Sequence, residues 1–436
     1  MSINKYFDVI IVGAGIAGVA TAEIFARNKF KVLLIEKNKK PFQESSSEHH
    51  GWFHFGSLYS ILENKIFLKT MLNNLKNLLD YYTCFKRMNL KIKNKKLTFY
   101  KIYKSWFNDE RINYYVATRE NDDLKKKNLF EKLKHIINWE KKIKIFISRH
   151  KRFEDNIWDK NFVKYISSAS ILDYRRKFIK KPDISDVNIN KDSHFKIVGF
   201  DRIMNSENIG NDLFNSFIKN KGLFINNCKL INYKLDKKLI EVKTNKKEFN
   251  CKYLINCLGR NTKIERKIKN ITSLIAVFYP NISSQNFVRL TPNKKNSINH
   301  LIHKNNNKSY SVISSALGIE TEKKHLKKNQ LNSLKKDFLK NIEKYFSKYN
   351  KKKLKKIYTG VKTEYSDNQN RNYNFVIMNE KKNIYNIIPG KFTLAFSLAI
   401  KIYREITNKY PTKKLTFNNA KLKDVYVNIP KHKNIF

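Results

Sequence analysis

The stretch that most constrains the fold lies near the N-terminus. Residues 7–12 (FDVIIV) form a short, apolar, β-branched run, the pattern of a parallel strand buried on both faces. Gly13-Ala14-Gly15-Ile16-Ala17-Gly18 follows at once, and residues 19–26 carry a helical pattern. Gly13 suits a tight turn, Gly15 a close backbone approach by a pyrophosphate, and Gly18 close helix–strand packing. A helix opening there aims its free N–H groups and its dipole at phosphates. A second strand is predicted over 30–35 (FKVLLI), ending at Glu36, whose carboxylate can accept hydrogen bonds from an adenosine ribose. A lone GxGxxG is weak evidence. Strand, glycines, helix, second strand and terminal acid in this order, within about 30 residues, predict a dinucleotide site. The motif alone does not choose between NAD and FAD.

Length and composition bound the rest. A chain of 436 residues, 41% of them hydrophobic, is long enough for two joined domains and a sizeable core. The formal net charge of +52 has two readings: a basic surface for nucleic acid or anionic lipid, or AT-rich codon usage. The lysines are spread through the chain, as in Lys351-Lys352-Lys353, with no arginine-rich stripe, which favours the second reading. A nucleic-acid partner is therefore not expected, although the charge should attract acidic or phosphorylated small molecules. Cys84, Cys228, Cys251 and Cys257 have no CxxC spacing; Cys251 and Cys257 flank a predicted strand and suit buried free thiols, and the set suits a reducing cytoplasm. The apolar stretch 9–26 is interrupted by glycines and Glu23, so no transmembrane segment is expected and membrane contact would be peripheral.

Three further segments point to FAD. The first is the loop 45–59 (SSSEHHGWFHFGSLY), whose small hydroxyl residues and glycines suit a pyrophosphate and a flat ring system. The second is the apolar run 253–259 (YLINCLG), a buried strand ending in glycine. The third is 389–395 (PGKFTLA), a glycine turn opening a helix that runs to about residue 408. Against an NAD enzyme, the chain lacks the Arg/His/Asp signature of a hydroxyacid dehydrogenase. A second GxGxxG and a redox cysteine pair, the marks of a disulfide reductase, are missing too.

Together these segments resemble the D-amino-acid-oxidase-like superfamily of FAD-dependent oxidoreductases, which includes glycerol-3-phosphate dehydrogenases and 2-hydroxyglutarate oxidases. Ser47, Gly51, His54 and Gly56 match the spacing of the hydroxyglutarate branch: Ser, three residues, Gly, two residues, His, one residue, Gly. Two departures stand out. The Gly-x-Arg-Pro of the family reads Gly360-Val361-Lys362-Thr363, and its Gly-His-Gly element reads Ile387-Ile388-Pro389-Gly390.

The resemblance implies an α/β fold, with a Rossmann-type FAD-binding domain and an interleaved α+β substrate domain on a mostly antiparallel sheet. The expected division is 1–60, 194–262 and 358–408 for FAD, 61–193 and 263–357 for substrate, and a C-terminal tail at 409–436. Residues 145–180 look like a family-specific insertion. The implied FAD set is Gly13, Gly15, Ile16, Ala17, Gly18, Glu36, Lys37, Ser46, Ser47, Gly51, Gly259, Gly390, Lys391, Phe392, Thr393 and Leu394.

The implied reaction oxidises a C–H bond next to a hydroxyl or amine of a small anionic or sugar-derived substrate by hydride transfer to flavin, with oxygen or a quinone as electron acceptor. Flavin carries the chemistry while protein groups place the substrate and tune the ring. His54 is the candidate base, its alternative being a histidine that merely holds the loop. Lys391 and the backbone of 392–394 are candidates to stabilise negative charge on reduced flavin. Arg289, Arg119 and Tyr59 are candidate substrate contacts, with Tyr115 and Tyr310 as further pocket tyrosines. Some superfamily members attach flavin covalently through a loop histidine, for which His49, His50 and His54 are the candidates, and no metal is expected. An RNA-modifying flavoprotein and a non-catalytic electron-transfer protein are the competing classes.

Overall fold

A computed structural model of the protein describes residues 6–56, 58, 65–93, 96–117, 178–179, 187, 194–199, 201–236, 238–262, 268–291, 296–315, 318–321, 326–367, 370–372, 374–415 and 427–435. Arg119, Tyr59 and nearly all of the expected insertion at 145–180 lie outside the described residues.

The first strand, β1 (Tyr6–Val12), lies between β2 (Val32–Ile35) and the strand Glu248–Asn256, both parallel to it. Leu223–Ile225 extends the sheet beyond β2, also parallel. The strand Glu248–Asn256 is shared. Its first half pairs antiparallel with Leu239–Thr244, and its second half pairs parallel with Ile384–Ile388. Leu230–Asp236 and Val376–Lys381 complete eight strands. The carboxyl ends of the parallel strands therefore gather at one edge, where open α/β sheets bind ligands.

Helix α1 (Ile16–Arg27) is buried along its whole length and packs against two others that follow later in the chain. Buried on every side, it carries one ion pair inside the core. Arg27 donates to Glu23 at 2.7 Å and to the Tyr81 carbonyl at 2.8 Å, and the Ser216 hydroxyl donates to Glu23 at 2.6 Å. Helix α2 (Lys65–Tyr81) ends at that tyrosine, and α3 (Ser206–Lys219) supplies the serine. All polar ends of the pair are thus matched, the condition for tolerating buried charge.

The second sheet has ten strands, running from Asn370–Asn372 through Leu354–Asp367, Ile268–Phe278, Lys308–Ser315, Ile298–Asn305, Phe287–Leu290, Ile112–Ala117 and His194–Gly199 to Phe178–Ile179, with Ile319–Thr321 paired beside Ile268–Phe278. Every pairing is antiparallel except Phe287–Leu290 with Ile112–Ala117. Helix α4 (Lys328–Tyr345) covers it with Leu334, Phe338, Ile342 and Tyr345. Its lysine-rich opposite face stays exposed. Helix α5 (Ala395–Thr407) returns to the first sheet and packs on α1 and α2. Among the described residues, no helix is long and apolar enough to cross a membrane.

Two segments expected with the nucleotide-binding portion pair in the second sheet instead. The strand His194–Gly199 pairs with Ile112–Ala117, and the 14-residue strand Leu354–Asp367 pairs along its length with Ile268–Phe278. In both cases a continuous ladder holds the strand, and its end delivers residues to the other half of the molecule. Cys251 also differs from expectation: it lies within the strand Glu248–Asn256 rather than beside it.

Candidate functional site

A cavity of about 1720 Å³ opens at the carboxyl ends of β1, β2 and Glu248–Asn256, lined there by Val12, Ile35 and Asn256. Pockets for drug-sized ligands run from roughly 300 to 1,000 Å³, so this one has room for a dinucleotide and a further small molecule.

The glycine turn is built as the motif requires. Gly13 has φ of +100°, and its N–H donates to the Ile35 carbonyl at 2.8 Å. A Cβ on Gly13 would lie 2.7 Å from the Cys257 carbonyl oxygen, and one on Gly18 only 1.8 Å from that of Gly13. Both positions demand a missing side chain. At the start of α1, the Ile16 N–H donates to Ser46 Oγ at 2.9 Å. The Glu36 carboxylate accepts from the Ala14 N–H at 2.7 Å and from the backbone and side-chain N–H groups of Asn38. Around the same mouth run Lys37, Glu44, Arg260, Glu48 and Lys431 as alternating charges: Lys37 pairs with Glu44, Arg260 reaches Glu44 and Glu48, and Lys431 reaches Glu48. Burial opposes ionisation of Glu44, but Lys37 and Arg260 outweigh it and hold its carboxyl below the usual range.

Farther in, the loop 44–56 meets the turn before α5. Gly390 has φ of +62°, and Lys391, Phe392 and Thr393 line the cavity. Thr393 Oγ1 accepts from the His54 backbone N–H at 3.2 Å. Lys362, from the strand Leu354–Asp367, reaches the same wall. His54 itself is buried against the Trp52 ring, with centroids 4.3 Å apart, and its Nδ1 lies 3.3 Å from Asp201 Oδ2. Burial is the main reason that its pKa falls to about 4; Lys391 and Lys362 push the same way, while Asp201 opposes them. His54 is therefore a neutral imidazole near pH 7. The groups fit a flavin dinucleotide: glycine positions that no side chain could occupy, a helix N-terminus beside Ser46, a ribose-level carboxylate, and a cationic inner wall.

The expected residues fall into three groups. Gly13, Gly15, Ile16, Ala17, Glu36, Lys37, Ser46, His54, Gly259, Gly390, Lys391, Phe392 and Thr393 line the one cavity. Gly18, Ser47, Gly51 and Leu394 stand behind its wall. Ser47 Oγ donates to the Glu44 carbonyl, Gly51 has φ of +82° with the His303 ring over its α-carbon, and Leu394 is fully buried at the start of α5.

Arg289 does not reach the cavity lining. It is 1% exposed inside the second half of the molecule, donating to the Asn296 carbonyl and the Tyr345 hydroxyl, with its guanidinium over the Tyr345 ring. A guanidinium buried in its own domain is satisfied there rather than displayed. Tyr115 and Tyr310 are also buried outside the lining, Tyr310 being bonded to His432. Among the described residues no cluster of His, Cys, Asp or Glu could hold a metal ion.

Sequence reasoning missed Lys362, Arg260 and Glu44, and it missed Asp201 behind His54. Lys362 was within reach, because it stands where the family carries an arginine. Nothing local marks Asp201, which is 147 residues from its histidine.

This fold and this cavity define a nucleotide-dependent redox protein with a two-sheet architecture. The model of the FAD-dependent oxidoreductase family matches residues 8–386, and the chain belongs to that family. Glycerol 3-phosphate oxidase of Mycoplasma pneumoniae is 38% identical over 77 residues, a match that spans 16% of this chain and only 20% of that relative's length. In overall structure the chain is similar to L-α-glycerophosphate oxidase from the same organism with FAD bound, with a TM-score of 0.64 and 17% identity over 95% of this chain and 98% of that one. It is also similar to NikD, an amino acid oxidase (TM-score 0.63, 10% identity, 98% and 100% covered), and to glycine oxidase from Geobacillus kaustophilus (TM-score 0.58, 11% identity, 97% and 99% covered). The protein is an FAD-dependent oxidoreductase.

Proposed function

We propose that this enzyme oxidises a carbon bearing a hydroxyl in a small anionic substrate, a phosphorylated or carboxylated alcohol, rather than an amine. Bound FAD supplies the hydride acceptor. Glu36 would hold the adenosine ribose, the N-terminus of α1 with Ser46 the pyrophosphate, and Lys391 with the 392–394 backbone the flavin edge where negative charge develops.

The carrying observation is a buried His54, its Nδ1 3.3 Å from Asp201, in a cavity wall that also contains Lys362 and Lys391. A neutral imidazole can accept the hydroxyl proton, which an alcohol must lose as its carbon is oxidised. The two ammonium groups favour an anionic substrate and would stabilise an alkoxide-like transition state. Lys362 takes the place first assigned to Arg289 as the cation for the substrate's anionic group. The resemblance to a glycerophosphate oxidase supports the phosphorylated alternative.

The test is anaerobic mixing of the FAD-loaded protein with glycerol 3-phosphate, L-2-hydroxyglutarate, glycine and N-methylated amino acids, followed by loss of the yellow flavin colour. Bleaching by a hydroxy compound is expected. Bleaching by the amines alone would sink the proposal. Peroxide release on readmitting air then separates oxygen from a quinone as acceptor.

A further inference from the structure

Asp201 reaches His54 through the backbone register. Trp52–Phe53 and Arg202–Ile203 form a short antiparallel ladder, with Trp52 opposite Ile203 and Phe53 opposite Arg202. One step further along that register sets His54 opposite Asp201. Asp201 is fully buried, and its carboxylate gathers three donors. His54 Nδ1 lies 3.3 Å from Oδ2, the Tyr114 hydroxyl donates to Oδ2 at 2.7 Å, and the Phe55 N–H donates to Oδ1 at 2.8 Å. Tyr114 comes from the second sheet, on the strand that pairs with the one leading into Asp201. Burial would raise the carboxyl's pKa, but the bonds from His54, Tyr114 and Phe55 hold it below its ordinary value. An ionised carboxylate only accepts, so the facing nitrogen must donate.

We propose that Asp201 is a positioning residue that fixes His54 in the tautomer with hydrogen on Nδ1 and the lone pair on Nε2, so that the imidazole acts toward the cavity as a proton acceptor and not as a donor. The catalytic consequence rests on the hydroxyl-oxidation reading above; the tautomer does not. In the reaction the substrate O–H bond breaks, an N–H bond forms at Nε2, and Asp201 remains a carboxylate beside the new imidazolium. Buried carboxylates hold catalytic histidines in this way on unrelated folds. Among the described residues, the charged and titratable groups around the pair include Tyr114 and Arg202 on the Asp201 side, and Lys391, Lys362 and His50 on the His54 side. The lysines disfavour imidazolium before substrate arrives, and Asp201 limits its cost once the proton has moved.

The test uses the FAD-loaded protein labelled with 15N-histidine, with His54→Gln assigning the His54 signals. In the wild type, His54 is expected to show a protonated Nδ1 and an unprotonated Nε2 at neutral pH; the opposite tautomer overturns the proposal, whatever the substrate proves to be. In Asp201→Asn, whose amide can also donate, the Nδ1–H form should give way to a mixture. The rate of flavin reduction by a hydroxy substrate should fall about 100-fold or more, while substrate affinity changes by less than about 3-fold. An Asp201→Asn protein that keeps the wild-type tautomer and rate also overturns it. Tyr114→Phe, which takes away one donor and leaves the carboxylate, should retain the tautomer; loss of the tautomer there would assign the ordering to Tyr114 instead. Failure of every substrate in the bleaching panel, with the expected tautomer present, would count against the hydroxyl-oxidation reading and leave this inference standing.

Discussion

Single residues decide whether the cofactor can be held at all. Gly18 is the sharpest case, because any Cβ there would sit 1.8 Å from the Gly13 carbonyl oxygen. Gly18→Ala should displace the turn and strip FAD from the protein, which flavin content after desalting would reveal; full retention would refute the packing argument. Lys391→Met removes a buried cation from the inner wall and should lower the flavin's reduction potential, since reduced flavin gains negative charge. A potential unchanged in a dye-equilibrium titration would rule out the side chain's part. The sequence made the glycines, Glu36 and His54 legible because each belongs to a motif with fixed local spacing. Asp201 and Tyr114 were not legible: a side chain that acts by facing another across a ladder leaves no mark on its own neighbourhood. Arg289 misled for the converse reason. An isolated arginine in a strand has no local sign telling whether it points to a ligand or to Tyr345.

Elements carry a second layer. The strands at 7–12, 30–35 and 253–259 and the helices that open after Gly18 and near residue 395 were legible from period and length, and the long strand 354–367 was not, because its polar, lysine-bearing sequence hides which sheet it joins. The segment 427–435 reads as a tail in the sequence, yet it is pinned against the loop 44–56. The Lys431 N–H donates to the Ser47 carbonyl, the Asn428 N–H to the Pro41 carbonyl, and Lys433 pairs with Glu207. His432, itself buried, packs with buried His303 and half-buried His49, its ring 4.3 Å from that of His303. Burial first, and His303 next, lower the pKa of His49 to about 3, and burial lowers that of His303 to about 4. Their folded values lie below the ordinary 6.5, so below that pH the unfolded chain binds more protons. Stability should therefore be full above about pH 6.5 and fall as pH drops toward 4 and then 3. Urea unfolding at a series of pH values would measure the slope, and His303→Phe should flatten it. An equal slope in that variant would show that the histidine group does not carry the effect.

At the scale of the molecule, the charge of +52 belongs to no single site in the cavity. Any RNA retention should be sequence-independent and should vanish as salt approaches physiological strength, because such contacts release counterions. Filter binding across a salt series measures this, and salt-resistant, sequence-selective binding would revive the RNA-modifying class. The order in which the chain meets itself has another consequence. β1 sits at the middle of its sheet beside Glu248–Asn256, Cys257 supplies the oxygen against which the glycine turn is set, and residue 431 bonds the loop at Ser47. During synthesis the earliest-made strand meets β2 soon, but its other neighbour, Glu248–Asn256, does not exist until more than half of the chain has been made. Closing such long loops before any contact rewards them slows folding. FAD should thus be captured late, by a nearly finished polypeptide, and nascent chains stalled on the ribosome before residue 257 should carry none of it.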